Sequence, residues 1–293
     1  MKVSGFTFIR NAIKYDYPIV EAIQSILPLC DEVVVAVGNS EDQTLELIKS
    51  IHPVKIKIIE TEWDDSLREG GKVLAKETDK AFHALSTDSD WAIYIQGDEV
   101  VHEKYQDSIR KAMRKCLDDQ PIEGLLFRYQ HFYGSYDYVG SSPSWYRNEI
   151  RIIRNDKTIF SYRDAQGFRK YPNEKLTVAA IDAEVFHYGW VKDPRAMQRK
   201  QETFHKLWHD DEWVERHIVT AEEFKYEEHI SELKKFKGTH PMVMLDRIEK
   251  KNWNFDFDIT RNKTSFKDHF KNFLYKYLKF DVSYKNYRIK KRI

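Results

Sequence analysis

Hydrophobic positions in the first hundred residues fall into two alternating periods. Val3 to Ile9, Glu32 to Val37 (EVVVAV), Val54 to Glu60 (VKIKIIE) and Trp91 to Gln96 (WAIYIQ) are short apolar or alternating runs, the pattern of strands. Between them, Tyr17 to Leu27, Thr44 to Ile51 and Gly70 to Ala84 carry apolar residues three and four apart, as in Ile19, Val20, Ile23, Ile26 and Leu27. Each is expected to be a helix with one buried side. Strand and helix alternating in this way give an α/β fold, a Rossmann-like parallel sheet flanked by helices.

Past residue 100 the pattern changes. Ser108 to Leu117 reads as a helix, and Gly124 to Phe132 and Glu149 to Ile153 read as strands that make the sheet mixed. Leu176 to His187 is a further apolar stretch ending in FHYGW. Beyond Asp193 the chain is heavily charged and helical in pattern, then loop-like, then closes on a basic helix. The expected organisation is a body over 1–190 and a helical C-terminal extension over 191–293.

Charge sharpens this division. The 293 residues hold 48 Lys and Arg against 47 Asp and Glu, a formal charge of +1. Ten Lys and Arg against two Asp lie between Lys263 and Ile293, so the tail carries +8 and the rest −7. A near-neutral chain argues against nucleic acid as a partner. The basic tail points to an anionic partner such as a membrane surface. Its Phe266, Phe270, Phe273, Leu274, Tyr277 and Leu278 repeat at helical spacing with Lys267, Lys271, Lys276 and Lys279 between them. That pattern suits a helix on anionic lipid or one packed on the body. No apolar run approaches the ~18 residues of a membrane span, and Lys2, Arg10, Lys14 and Asp16 interrupt any leader-like core. The expectation is a cytoplasmic chain, at most peripheral on the inner face of the membrane. Two cysteines, Cys30 and Cys116, make neither a disulfide framework nor a zinc site.

In an open parallel sheet, ligands bind beyond the carboxyl ends of the strands. Here the four ends are Arg10-Asn11, Gly38 to Thr44 (GNSEDQT), Glu62 to Lys72 (EWDDSLREGGK) and Gln96 to Glu99 (QGDE). All four are polar, charged or small. The adjacent carboxylates Asp98 and Glu99 suit a hard divalent cation that bridges phosphates. Arg68 and Lys72 flank Gly70 and Gly71 at a helix start and suit a diphosphate. Neither GxxxxGK[ST] nor GxGxxG occurs, which argues against P-loop and dinucleotide-binding folds.

These strand ends resemble those of the family 2 glycosyltransferases, which have the GT-A fold. The resemblance rests on Arg10-Asn11, on Ser40, Asp42 and Thr44 within GNSEDQT, and on Asp98-Glu99 after the fourth strand. It covers roughly residues 1–190 and is nearest to bacterial enzymes of surface polysaccharide and lipopolysaccharide synthesis. Two positions depart from the pattern: Val37 and Gln96 stand where the family has aspartate.

The resemblance implies a catalytic domain over 1–190 and a nucleotide-sugar donor lying across the strand ends. Arg10, Asn11, Asn39, Asp42 and Asp65 would lie around the nucleoside, with Arg68 and Lys72 on the diphosphate. A Mn²⁺ or Mg²⁺ ion would sit on Asp98, with Glu99 and His187 as further ligands. Inverting transfer needs a carboxylate to take the acceptor's proton. Asp164 (YRDAQGF) is the first choice, and Glu149 and Asp137 are alternatives. Glu149 could equally pair with Arg147 or Arg151. The aromatic stretch His131 to Tyr146 is an expected platform for a glycan or lipid-linked acceptor. His209, Asp210 and Asp211 are adjacent on a charged helix and do not converge as ligands. A non-catalytic sugar-nucleotide-binding scaffold and a nucleotidyltransferase are the competing readings.

Overall fold

A computed structural model describes residues 1–52, 54–67, 70–206, 208, 211–217, 221–230, 232–262, 271, 277 and 284–293. In chain order, β1 (Val3–Ile9), α1 (Ile19–Ile26), β2 (Glu32–Gly38), α2 (Thr44–Lys49), β3 (Ile56–Thr61), α3 (Lys72–His83) and β4 (Trp91–Tyr94) form the alternating half. β2 and β4 flank β1, β3 flanks β2, and all these pairings are parallel. Consecutive residues of β2 face opposite sides. Val33, Val35 and Val37 join one core, with Ile19, Ile23 and Ile26 of α1. Val34 and Ala36 join the other, with Val73, Leu74, Ala81 and Phe82 of α3. Each fully buried Ile or Phe in these layers contributes about 1.5–3 kcal/mol. The helix expected from Gly70 starts at Lys72, because Gly70 and Gly71 both take positive φ, 62° and 70°.

The second half supplies β5 (Glu99–Val101), α4 (Gln106–Lys115), β6 (Gly124–Tyr133), β7 (Ser135–Gly140), β8 (Asn148–Arg154), β9 (Ile159–Tyr162), β10 (Gly167–Lys170) and β11 (Glu174–Trp190). The sheet runs β3-β2-β1-β4-β8-β6-β11-β10-β9, and it turns mixed at β4, which pairs antiparallel with β8. Ile109, Ala112 and Met113 of α4 pack on the α1 side of the sheet.

Beyond residue 190 the chain is not purely helical. After α5 (Pro194–Lys206) and α6 (Asp211–His217), β12 (Leu233–Lys235) pairs with β7, α7 (Leu245–Glu249) follows, and β13 (Tyr287–Arg292) lies parallel to β11. Its alternating tyrosine and isoleucine, Tyr287 and Ile289, read as strand once a parallel neighbour is available. Most of the tail pattern, over 263–283 apart from Lys271 and Tyr277, lies outside the described residues. No described helix is long and apolar enough to cross a membrane. Cys30 and Cys116 are buried and unbridged.

One buried ion pair ties β5 to β8. Arg151 on β8 and Glu99 at the start of β5 are 1% and 0% exposed. The guanidinium donates to both carboxylate oxygens, Nε to Oε2 at 2.8 Å and Nη2 to Oε1 at 2.7 Å. Its remaining amino group donates to the carbonyls of Ile150 and Gln166 at 2.9 and 2.8 Å. Tyr129 donates to the same carboxylate at 2.7 Å. Glu99→Gln leaves the guanidinium buried without its counter-charge, and the expected loss in urea unfolding is about 3–5 kcal/mol. The double variant Glu99→Leu/Arg151→Met should recover most of that loss. A single variant as stable as the native chain would contradict this account.

Candidate functional site

The polar strand ends open into one cavity of about 700 Å³. β1 delivers Arg10 and Asn11 to it, and the segment after β3 delivers Trp63 and Asp65. Asn11 has φ 55°, a conformation asparagine tolerates, and its side-chain oxygen accepts the Glu41 amide at 2.7 Å. The Trp63 indole nitrogen lies 2.3 Å from where a Cβ on Gly38 would stand, so only glycine fits there. The Trp63 ring meets Phe8 at 5.8 Å, and the Arg10 guanidinium lies 5.5 Å above it while pairing with Asp65 at 2.8 Å. The result is a tilted aromatic pair, 54° between ring planes, with the Arg10 guanidinium over one ring.

Deeper in, the two carboxylates of QGDE part. Glu99 turns into the sheet and is committed to Arg151, so the reading of Glu99 as a metal ligand is corrected: its oxygens are already hydrogen-bonded in the core. Asp98 faces the cavity. Its Oδ2 lies 3.4 Å from the Lys200 ammonium, which also donates to the Gly189 carbonyl at 2.9 Å. Its Oδ1 lies 3.7 Å from His187 Nε2. Strand register explains the meeting, since β5 pairs with β11 at Glu99 opposite His187. Burial works to raise the Asp98 carboxyl, but His187, Lys200 and Lys192 hold it below the ordinary range. Burial pushes Lys192 down to about 7.

His131 on β6 fixes the proton of His187. It is stacked between Trp145 (4.9 Å, 26°) and Tyr129 (5.4 Å, 25°), and its Nε2 donates to the Tyr146 carbonyl at 2.7 Å. The two Nδ1 atoms are 3.1 Å apart. Burial lowers both imidazoles, favouring the neutral forms. Neutral His131 then has a bare Nδ1, so His187 donates from its own Nδ1 and leaves Nε2 bare toward Asp98. Two acceptors facing each other fit a cation between them. Among the described residues no group of three or more His, Cys, Asp or Glu could hold a metal. A divalent ion here would have two protein donors, Asp98 and His187, with other positions left to phosphate and water.

A second cavity of about 430 Å³ adjoins the first, sharing Tyr146, Asp164 and Gln166 as lining. Asp164 sits in the β9–β10 turn between Arg163 (φ 59°) and Ala165 (φ 64°). A Cβ on Gly71 would come within 2.9 Å of the Asp164 side chain, so the glycine lets α3 approach it. Gln96 helps hold this turn, donating to the Ala165 carbonyl at 3.1 Å. Burial raises the Asp164 carboxyl. Glu149 lines the second cavity, 7% exposed, and its Oε2 has no hydrogen-bond partner.

Of the other expected site residues, Asn39 is exposed and accepts the Trp63 amide at 3.4 Å, outside the cavity lining. Asp42 accepts the Thr44 and Lys14 amides at 3.0 and 2.7 Å and fixes the turn. Lys72 begins α3, exposed and away from the lining. Arg68, His209 and Asp210 lie outside the described residues. Asp137 accepts Ser135 and lines neither cavity. Arg151 pairs with Glu99, not Glu149. The stretch His131–Tyr146 is mostly the β6–β7 hairpin, with Phe132, Tyr133, Tyr136 and Tyr138 in the core. Trp145 and Tyr146 alone of its rings line the cavities.

Lys200, His131 and Trp63 were not singled out by the sequence pattern. Lys200 falls three residues after buried Met197, the one available signal that this cation faces inward.

The chain matches no protein-family profile and no curated protein sequence. Among solved structures it is similar to S. aureus TarS 1-349 in complex with UDP (15% identity, TM-score 0.39, 69% of this chain and 64% of that one). It is also similar to a 4-diphosphocytidyl-2C-methyl-D-erythritol synthase from Anaerococcus prevotii (11%, 0.34, 53% and 71%). A third is glucosyl-3-phosphoglycerate synthase from Mycobacterium tuberculosis, crystallised with Mn²⁺ and UDP (19%, 0.29, 45% and 45%). The chain spans only 39% of longer TarS. Likeness at this level fixes neither substrate nor chemistry.

Burial pushes the Glu149 carboxyl up to about 8, with Glu99 and Asp164 adding to the rise and Arg151 opposing it. The folded protein therefore keeps a proton that the unfolded chain releases near pH 4. The stabilisation is complete below that pH and is lost as pH rises toward 8. Relative to Glu149→Gln, the native chain should lose on the order of a few kcal/mol between pH 4 and 8. Urea midpoints of both proteins across that range test this; parallel curves would contradict it.

Proposed function

We propose that the chain is a family 2 glycosyltransferase with the GT-A fold, moving a sugar with inversion from a nucleoside-diphosphate sugar to a saccharide or lipid-linked acceptor in cell-surface glycan synthesis. The observation that carries this reading is a pair of adjoining cavities with a carboxylate, Asp164, at their junction. One cavity runs from the Trp63 and Phe8 rings to the Lys200 ammonium, an arrangement that suits a nucleoside and its diphosphate. The other shares Asp164 as lining, so a second substrate there would lie against the same carboxylate.

In this reading Trp63 and Phe8 stack the base, and Arg10, Asn11 and Asp65 bind its edge and the ribose. Val37 is core rather than cavity lining, so these neighbours take over the contact its family counterpart makes. The diphosphate lies toward Lys200. A divalent ion held by Asp98 and His187 would supply positive charge to the departing diphosphate. Asp164 accepts the proton of the acceptor hydroxyl, and its raised carboxyl makes it the stronger base. The hydroxyl oxygen bonds to the anomeric carbon as the bond from that carbon to the phosphate oxygen breaks. The electron pair leaves with the nucleoside diphosphate, and Lys200 offsets its charge.

Thermal-shift measurement with UDP-, GDP-, CDP-, ADP- and TDP-sugars, with and without Mn²⁺, should find at least one that raises the melting temperature. Trp63→Ala should weaken that nucleotide's binding by about 1–3 kcal/mol. Asp164→Asn should lower kcat by about 10²–10⁴ with donor affinity nearly unchanged. If no nucleotide sugar shifts the melting temperature, the proposal fails.

A further inference from the structure

The second cavity brings together cations from three separate segments. Arg147 precedes β8, Arg163 sits in the β9–β10 turn, and Lys271 comes from the basic tail. More positive charge stands behind them. Arg163 lies 5.2 Å over the Tyr162 ring and 5.7 Å over Tyr284. Arg169 lies 4.5 Å over Tyr162 and donates to the Tyr284 hydroxyl at 2.8 Å, and Lys175 lies 5.1 Å over Tyr284. Among the described lining residues two carboxyls, Asp164 and Glu149, accompany them. Glu149 is buried beside Gly167, and its Oε2 is a buried acceptor with no hydrogen-bond partner.

Like charges converging from three segments repel one another and favour an anion among them. Guanidinium groups match the paired oxygens of phosphate and carboxylate. Tyrosine and tryptophan faces, with the amides of Asn148 and Asn286, suit a ring or chain of hydroxyls. A carboxyl that keeps its proton donates a hydrogen bond to such a ligand instead of repelling it.

We propose that the second cavity binds an acceptor bearing a phosphate or carboxylate on a saccharide or polyol, its anion held by Arg163 and Lys271 and its hydroxyls directed toward Glu149 and Asp164. This rests on the transferase reading and narrows it to anionic acceptors. It also gives Lys271, and with it part of the tail's positive charge, a defined counterpart.

Calorimetry on the full chain compares glucose 6-phosphate and galacturonate with neutral methyl glucoside. The anionic sugars should bind about tenfold tighter or more, and the gap should narrow as salt rises. Arg163→Ala/Lys271→Ala should erase the gap, and Arg163→Lys/Lys271→Arg should restore most of it, with affinity for the nucleotide sugar found by thermal shift unchanged in both. Equal binding of methyl glucoside, no binding of either anion, or discrimination that survives the alanine pair would overturn the proposal. Vesicles separate a lipid-borne from a soluble anion. Phosphatidylglycerol vesicles that glucose 6-phosphate displaces support a headgroup in this cavity; no binding of either vesicle type, phosphatidylglycerol or phosphatidylcholine, alongside tight sugar-phosphate binding supports a soluble acceptor. Vesicle binding that the sugar phosphate leaves intact and the alanine pair retains would assign the anion elsewhere and overturn it. Absence of binding by any of the five nucleotide sugars in the native chain would instead sink the transferase reading.

Discussion

The bond between Glu99 and Arg151 orders the rest of the site. A bidentate pair sealed in the core has little freedom, and this one also grips the Ile150 and Gln166 carbonyls and the Tyr129 hydroxyl. Because Glu99 is held, its neighbour Asp98 is directed to the cavity. Because Gln166 is held, the turn carrying Asp164 is fixed to the same anchor. The two carboxylates on which the proposed chemistry depends are thus set by a third that takes no part in it. Such a pair adds little net stability compared with apolar replacements; its effect here is to fix positions.

Sequence pattern was enough for the alternating half of the fold. EVVVAV could only be a strand covered on both faces, and the isoleucines of α1 mark one side of a helix. It was enough also to find the polar strand ends, because a parallel sheet presents its loops at one edge. It failed where two residues next to each other took opposite fates. Nothing in the letters of QGDE says which acid is buried; that is decided by Arg151, fifty-two residues later. The same holds for His131, whose role depends on the register of β6 against β11. The tail misled for a related reason. Tyr287 to Arg292 is basic and short, and becomes a strand only because β11 offers an unpaired edge.

The two cavities also differ in electrostatic character. The first is lined by Glu41, Asp65, Asp98 and Asp164 against Arg10, Lys200 and Lys206, a mixed arrangement within the −7 body of the chain. The second draws on the tail and on arginines from the β8–β10 region. A chain of formal charge +1 therefore presents two cavities of different charge, with Asp164 lining both.

β13 gives this arrangement an order in time. The first cavity is lined by residues no later than Trp208, whereas the second needs Lys271, Tyr284, Asn286 and Tyr287. A chain emerging from the ribosome folds its earlier part first. Every residue that lines the first cavity is therefore made before the last strand exists, whereas the second cavity stays incomplete until that strand slots beside β11.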